Sequence, residues 1–419
     1  MPPDDPVTPE DAADAVVRTQ YEKHPYPPRD PGDEQHRLIT GSPSHLLEIN
    51  HYVFGGRRDF AAPFRALVAG GGTGDATVML AQQLADRGPG EVVYLDISNA
   101  SLEVTRARIA ARNLTNVSFH RGSLLDVEKI APGPYDYIDC CGVLHHLADP
   151  GDGLAKLANA LQPDGGMGIM LYGALGRTGV YPMQDAIRRL VGDGDEGGED
   201  RLTLAKRLVQ TLPESNWLKQ NPAVGDHLLE DDAAFTDLLL HSRDRAYTVP
   251  EIDELMSRAN LTLTGFIEPI RYDPATYLND DGLIGRAEAL PWMERCAVAE
   301  SIAGNLKTHV FYATRSTHPG TSVAKADGPG VVPVWRDNEG PALAKRLSNS
   351  RRMNVDFDGL ALSFELPEQA GRLAQMIDGR RSLGELQAVL GMDWFTFKSR
   401  FDRLYRVLNG LNLILLRTG

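Results

Sequence analysis

Two short apolar runs organise the first half of the chain. Ala66-Leu67-Val68-Ala69 ends in a glycine cluster, Gly70-Gly71-Gly72-Thr73-Gly74. Val92-Val93-Tyr94-Leu95 ends in Asp96, 22 residues past Gly74, and a segment of helical character, Thr77 to Leu84, lies between them. The pattern predicts a buried strand, a glycine turn, a helix and a second buried strand. Upstream, Thr8 and Pro9 predict a helix start running to Arg18, and Pro25, Pro27 and Pro28 hold the segment Tyr21–Pro28 extended. From Thr178 to about Leu290 the chain is helical and charged, with an amphipathic helix from Glu251 to Ala259, and a last core strand follows around Thr308–Arg315. Residues 316–340 contain Pro319, Gly320, Gly328, Pro329, Gly330 and Pro333 and read as a linker. Beyond them, Leu373, Met376, Ile377, Phe395, Phe397, Phe401, Leu404, Tyr405 and Leu408 stand mostly at helical spacing, before a closing strand from Leu413 to Leu416. Three helices and a terminal strand pair predict a small winged-helix-like α+β domain.

At 419 residues and 42% hydrophobic content the chain supports two or three domains with a proper core. No run of 18 apolar residues predicts a membrane span, and the acidic, polar N-terminus is unlike a secretory signal. Three cysteines, Cys140, Cys141 and Cys296, form neither a disulfide framework nor a zinc pattern, which places the expected compartment in a reducing cytoplasm. The net charge of −14 disfavours nucleic acid and anionic membranes as partners. Residues 341–419 run against it, with 12 Lys/Arg and 8 Asp/Glu. The acidic stretch Asp193 to Asp200 lacks the EF-hand order, so no metal is expected there.

A buried strand feeding a glycine turn brings backbone N–H groups close to a ligand, and an acid about 20 residues on can hold the hydroxyls of a ribose. An adenosine-containing cofactor is therefore expected. The glycines do not follow G-x-G-x-x-G, and no Gly-Lys-Ser/Thr is present. Gly70, Gly72 and Gly74 instead make an alternating G-x-G-x-G turn, which resembles motif I of the class I S-adenosylmethionine (SAM) methyltransferases. Three further segments resemble later motifs of that family in order. They are Phe119 to Asp126 after the third strand, Tyr135 to Leu147 along the fourth strand and its exit, and Leu161 to Met170 at the turn into the fifth. Gln20-Tyr21-Glu22-Lys23-His24-Pro25-Tyr26-Pro27-Pro28, Ile49 to Gly56 and Asp237 to Pro250 resemble a bacterial group with a Y-E-x-x-P-Y-P segment before motif I, some of its members fused to tetratricopeptide repeats. Asp378-Gly379-Arg380-Arg381-Ser382-Leu383-Gly384-Glu385-Leu386 resembles, on one short motif, a peptide-recognition element. One departure stands out: motif I usually carries an acid two residues before its first glycine, and here that residue is Val68.

The resemblance implies a Rossmann-like seven-stranded sheet over residues 57–315 with a helical insertion at about 176–290. An N-terminal helix and lid segment (1–56) precedes it, and the linker (316–340) and the winged-helix-like domain (341–419) follow. It implies SAM as cofactor, held by Gly70, Gly72, Thr73, Gly74, Asp96, Ile97, Ser123, Leu124 and Cys141, with Tyr21 and Tyr26 closing over it. His145, His146 and Tyr172 are the candidate catalytic groups, and His24, His241, Arg245, Tyr247 and His309 the candidate acceptor contacts. The expected reaction is methyl transfer by in-line displacement, with a protein or peptide side chain slightly favoured as acceptor over a small molecule. A homodimer is compatible with this reading. The competing expectation from another class is a non-catalytic SAM-binding regulator whose winged helix binds DNA through Arg400, Arg403 and Arg406.

Overall fold

The computed structural model describes residues 17–19, 21–23, 25–192, 200–228, 232–348 and 350–418. The expected helix from Pro9, the acidic stretch from Asp193 and His24 lie wholly or mostly outside these residues.

The strands of the first half are β1 (Phe64–Ala69), β2 (Gly90–Asp96), β3 (Val117–Arg121), β4 (Tyr135–Cys141) and β5 (Leu161–Gly173). The second half adds the two-residue β6 (Ala246–Tyr247), β7 (Leu261–Phe266) and β8 (Thr308–Arg315). They form one sheet in the order β3-β2-β1-β4-β5-β8-β7, with β6 pairing β5 off this path. Strands β1 to β5 are mutually parallel, while β8 runs antiparallel to both β5 and β7. This is the expected Rossmann-like seven-stranded α/β fold. Helices Asp75–Ala85 and Asn99–Ala111 cross between strands, so β1, β2 and β4 are covered on both faces and largely buried. Their carboxyl ends share one edge of the sheet, and chain order reverses between β1 and β4, which opens a crevice there.

The stretch 176–290 is not a single helical insertion. Helices Val180–Val191 and Arg201–Gln210 and the segment around Phe235–Leu240 build a separate apolar cluster, but β6, helix Val249–Arg258 and β7 return to the main sheet. Leu261 and Leu263 are buried and alternate with exposed Thr262, a strand period inside a stretch that reads as helical. The expected linker also contains structure. β9 (Val331–Trp335) pairs antiparallel with β12 (Ile414–Thr418), so the C-terminal module starts within residues 316–340. A hairpin, β10 (Arg352–Phe357) with β11 (Leu360–Glu365), precedes the three helices Ala370–Met376, Leu383–Leu390 and Trp394–Gly410. The Asp378–Leu386 motif supplies a helix start, since Ser382 and Glu385 form a reciprocal cap on Leu383–Leu390.

This module is joined to the first domain by buried polar contacts. Glu48, on helix Leu46–Tyr52, accepts from Ser42 Oγ (2.8 Å), Tyr312 OH (2.9 Å), Asn412 Nδ2 (2.6 Å) and Arg336 (3.3 Å). The Leu416 N–H donates to His51 Nδ1 at 3.1 Å, which requires that nitrogen to be unprotonated, and burial pulls His51 down to about 4. Among the described residues no helix is long and apolar enough to cross a membrane.

Candidate active site

A cavity of about 420 Å³ occupies the crevice at the carboxyl ends of β1, β2 and β4. The Gly70 and Gly71 N–H groups donate to the Leu95 carbonyl at 2.8 and 3.1 Å, which locks the turn to β2. Gly70 and Gly74 sit at φ +77° and +100°, and a Cβ on Gly70 would overlap the Val143 side chain. Asp96 accepts from the Gly72 N–H with one oxygen and from the Ser98 N–H with the other, each at 2.8 Å. Burial raises its carboxyl and these amide donors oppose the shift. A carboxylate offers about four acceptor sites, so Asp96, which lines the cavity, keeps acceptor capacity beyond these bonds. Ser98, not Asp96, caps helix Asn99–Ala111. Ser123 caps the short turn at Leu124, and both line the cavity. Cys141 lines it as apolar wall, its thiol pushed well up by burial.

Residues 21–23 are helical and not extended as expected, and together with residues 25–28 they lie against this turn. Thr73 Oγ1 donates to the Pro27 carbonyl at 2.7 Å. Glu22 accepts from the Asn99 and Ala100 N–H groups at 2.7 and 3.0 Å, a carboxylate on a helix N-terminus. Arg29 forks onto Asp75, with Nε 2.8 Å from Oδ1 and Nη2 2.6 Å from Oδ2. Tyr21 and Tyr26 thus line the cavity together with Gly70, Gly72, Thr73, Gly74, Asp96, Ile97, Ser123, Leu124 and Cys141.

The opposite end of the cavity is polar. Tyr172, at the end of β5, donates to Asp237 Oδ2 at 3.0 Å, and Tyr21 OH reaches Asp237 Oδ1 at 3.5 Å. Tyr21 OH is also 3.3 Å from His241 Nε2. The His146 and His241 rings stack at 3.9 Å. Asp237 and His241 come from a single π-helical turn, Thr236–Leu240, and the residue after it. Burial lifts Asp237 to about 6 and pulls His146 down to about 4, so at neutral pH this end holds an anion and neutral imidazoles. Donor atoms of His146, Asp237 and His241 lie within 4.8 Å of one another, a composition that can ligate a cation. The His241 tautomer opposes that use: its Nδ1 accepts the Arg243 N–H at 3.1 Å, leaving the proton on Nε2, whereas His146 Nδ1 donates to the Arg243 carbonyl at 2.8 Å.

His145, Arg245, Tyr247 and His309 stand away from the cavity. The His145 ring stacks on Tyr172 at 3.9 Å, and the Arg177 guanidinium sits 3.7 Å from the centre of the same ring, so His145 positions Tyr172. Arg245 is exposed and paired with Glu251 at 3.1 Å. Tyr247 and His309 are register partners of Gly173 and Leu171 on β5, whereas Met170 and Tyr172 face the cavity. Side chains alternate along a strand, so both sit on the far face. There His309 is held by Tyr272 OH at 2.9 Å and lies 3.2 Å from Glu300. Asp237 and Asp139, another acid on the cavity wall, are not among the expected site residues. An acid among the buried residues Tyr137, Ile138 and Cys140 was the available signal for Asp139. For Asp237 it was the four-residue spacing to His241.

Residues 67–167 match the family model described as a methyltransferase domain. An uncharacterized protein of Synechococcus sp. is 28% identical over 347 residues, 81% of this chain and 78% of that one. The structure of PKMT2 from Rickettsia typhi in complex with AdoHcy superposes with a TM-score of 0.61 over 91% of this chain and 76% of that one, at 15% identity. The ubiquinone biosynthesis O-methyltransferase of Neisseria meningitidis is 30% identical over 87 residues, 21% of this chain and 37% of that one. The chain carries a SAM-dependent methyltransferase domain. Its cofactor is SAM, and the residues present fit it. The glycine turn leaves room beside Asp96, and Asp96 retains acceptor capacity for the ribose hydroxyls.

Proposed function

We propose that this methyltransferase acts on a protein or peptide side chain, with the acceptor atom presented at the Tyr21–His146–Tyr172–Asp237–His241 end of the cavity. The observation that carries the reading is the buried, anionic Asp237 between two phenol hydroxyls, beside the glycine turn. When bound, SAM supplies an electrophilic methyl whose leaving group needs no acid. The protein's task is then to orient the acceptor, keep water out and take one proton. Gly72 and Asp96 hold the adenosine. The Tyr21–Pro28 segment covers it, fastened through Thr73, Glu22 and Arg29. Asp237, its carboxyl lifted to about 6, accepts the proton that the acceptor loses, and Tyr21 and Tyr172 steady the carboxylate. The C-terminal module, locked onto helix Leu46–Tyr52, supplies docking surface away from the chemistry, which favours a macromolecular acceptor.

Supplying methyl-labelled SAM to a native lysate of the source organism tests this. Label is expected in the protein fraction, and label confined to metabolites would move the assignment to a small-molecule acceptor.

A further inference from the structure

The missing motif I acid has a counterpart one strand away. Val68 on β1 and Asp139 on β4 are direct register partners. Both line the cavity, so they point to the same face, about 4.8 Å apart across the sheet. Asp139 is fully buried. One carboxyl oxygen accepts from Ser44 Oγ at 2.7 Å. The other, Oδ1, has no hydrogen-bond partner, and among the described residues Asp139 takes part in no ion pair. The titratable groups that sense its charge are Tyr137, Cys140, Cys141 and Tyr312, none of them cationic. Ser44 itself is held in place, because Gln83 donates to its carbonyl at 2.9 Å.

Burial lifts the Asp139 carboxyl to about 7, so its ionised form costs free energy until a cation or donor meets the unpartnered oxygen. The cavity's ligand brings one, since the methionine moiety of SAM carries an α-ammonium. We propose that Asp139 holds that ammonium, from the cavity face it shares with Val68. Its carboxyl stands one strand over from position 68, on the same face of the sheet and on the wall of the same cavity. The cavity should then select 5′-thioadenosine ligands that carry the aminoacyl tail. This inference rests on SAM being the cofactor.

The test compares S-adenosylhomocysteine, which has the ammonium, with methylthioadenosine, which lacks it, by calorimetry on the full chain. Asp139→Asn keeps the size and a partner for Ser44 but loses the charge. It should weaken S-adenosylhomocysteine binding by about 10- to 100-fold, the worth of a charge-assisted hydrogen bond, and leave methylthioadenosine within about twofold. A second pair of variants guards against misfolding. Asp139→Val should lose the preference between the two ligands, and Val68→Asp combined with Asp139→Val should regain it. Equal effects on both ligands, or no effect on either, overturn the role of Asp139. If the unaltered protein binds neither ligand, the cofactor assignment fails instead.

Discussion

Replacing Asp237 with Asn should separate activity from stability. Asp237 is 8% exposed and packed against Tyr21, Tyr172 and His241. Its carboxyl stands at about 6 in the fold against an ordinary 3.8, with burial as the main cause. The folded chain therefore holds a proton there that the unfolded chain releases between those values. Stability from this group is complete below about 3.8, declines as pH rises through about 6, and stays lost above it. A shift of roughly two units corresponds to about 3 kcal/mol as an upper bound. Asn keeps an acceptor for Tyr172 and has no charge to bury. The variant should thus be as stable as the parent or up to about 3 kcal/mol more stable at pH 8, and equal to it near pH 4. It cannot accept a proton, so turnover should fall by about 10²- to 10⁴-fold. The limb of the parent's rate profile that rises through pH 6 should vanish with it. Urea melts at the two pH values, together with turnover in a methyl-transfer assay, give both readouts. A variant less stable at pH 8 than its parent refutes the electrostatic argument. Turnover within threefold of the parent refutes the assignment of Asp237 as base.

Asp96→Ala should weaken SAM binding by about 1–3 kcal/mol through loss of charge-assisted hydrogen bonds, and unchanged affinity in calorimetry would remove Asp96 from the site. Amide exchange at Tyr21, Glu22, Lys23 and Tyr26 should slow when S-adenosylhomocysteine binds, because the segment closes the cavity; no change would make it a fixed scaffold. Truncation before Val331 removes Arg336 and Asn412 from the buried Glu48 and uncovers helix Leu46–Tyr52. It should lower the melting temperature and loosen the Ser42–Ser44 loop on the cavity wall. An unchanged melting temperature would show that the module is independent. His309→Gln should leave S-adenosylhomocysteine affinity unchanged while destabilising the fold, and a selective loss of affinity would place His309 at the site after all.

The C-terminal module illustrates how composition misleads where pairing decides. Pro333 and the flanking glycines mark residues 316–340 as a linker, yet Val331–Trp335 forms β9. A two-stranded ribbon has only edges, and a proline is tolerated where its missing N–H is not needed. The strand exists because Ile414–Thr418, some 80 residues later, pairs with it.

The cofactor end was legible in the sequence because its determinants are local. A glycine turn, an apolar strand on either side and an acid at the strand end need only neighbouring residues and strand geometry, and Gly70–Gly74 with Asp96 meet in space as their spacing implies. The opposite end, where we propose the acceptor enters, was legible only in pieces. His146 and Tyr172 follow strands whose ends face the crevice, so they could be placed from sequence. Tyr247 and His309 could not, because one step of register between β5 and its neighbours decides which face a side chain takes. Asp237 reaches the cavity only through the packing of the inserted helices, and Asp139 matters only because β4 lies beside β1 with Val68 opposite it. Alternation along a strand is written in the sequence, but which strand lies alongside, and in what register, is set by burial of the whole sheet.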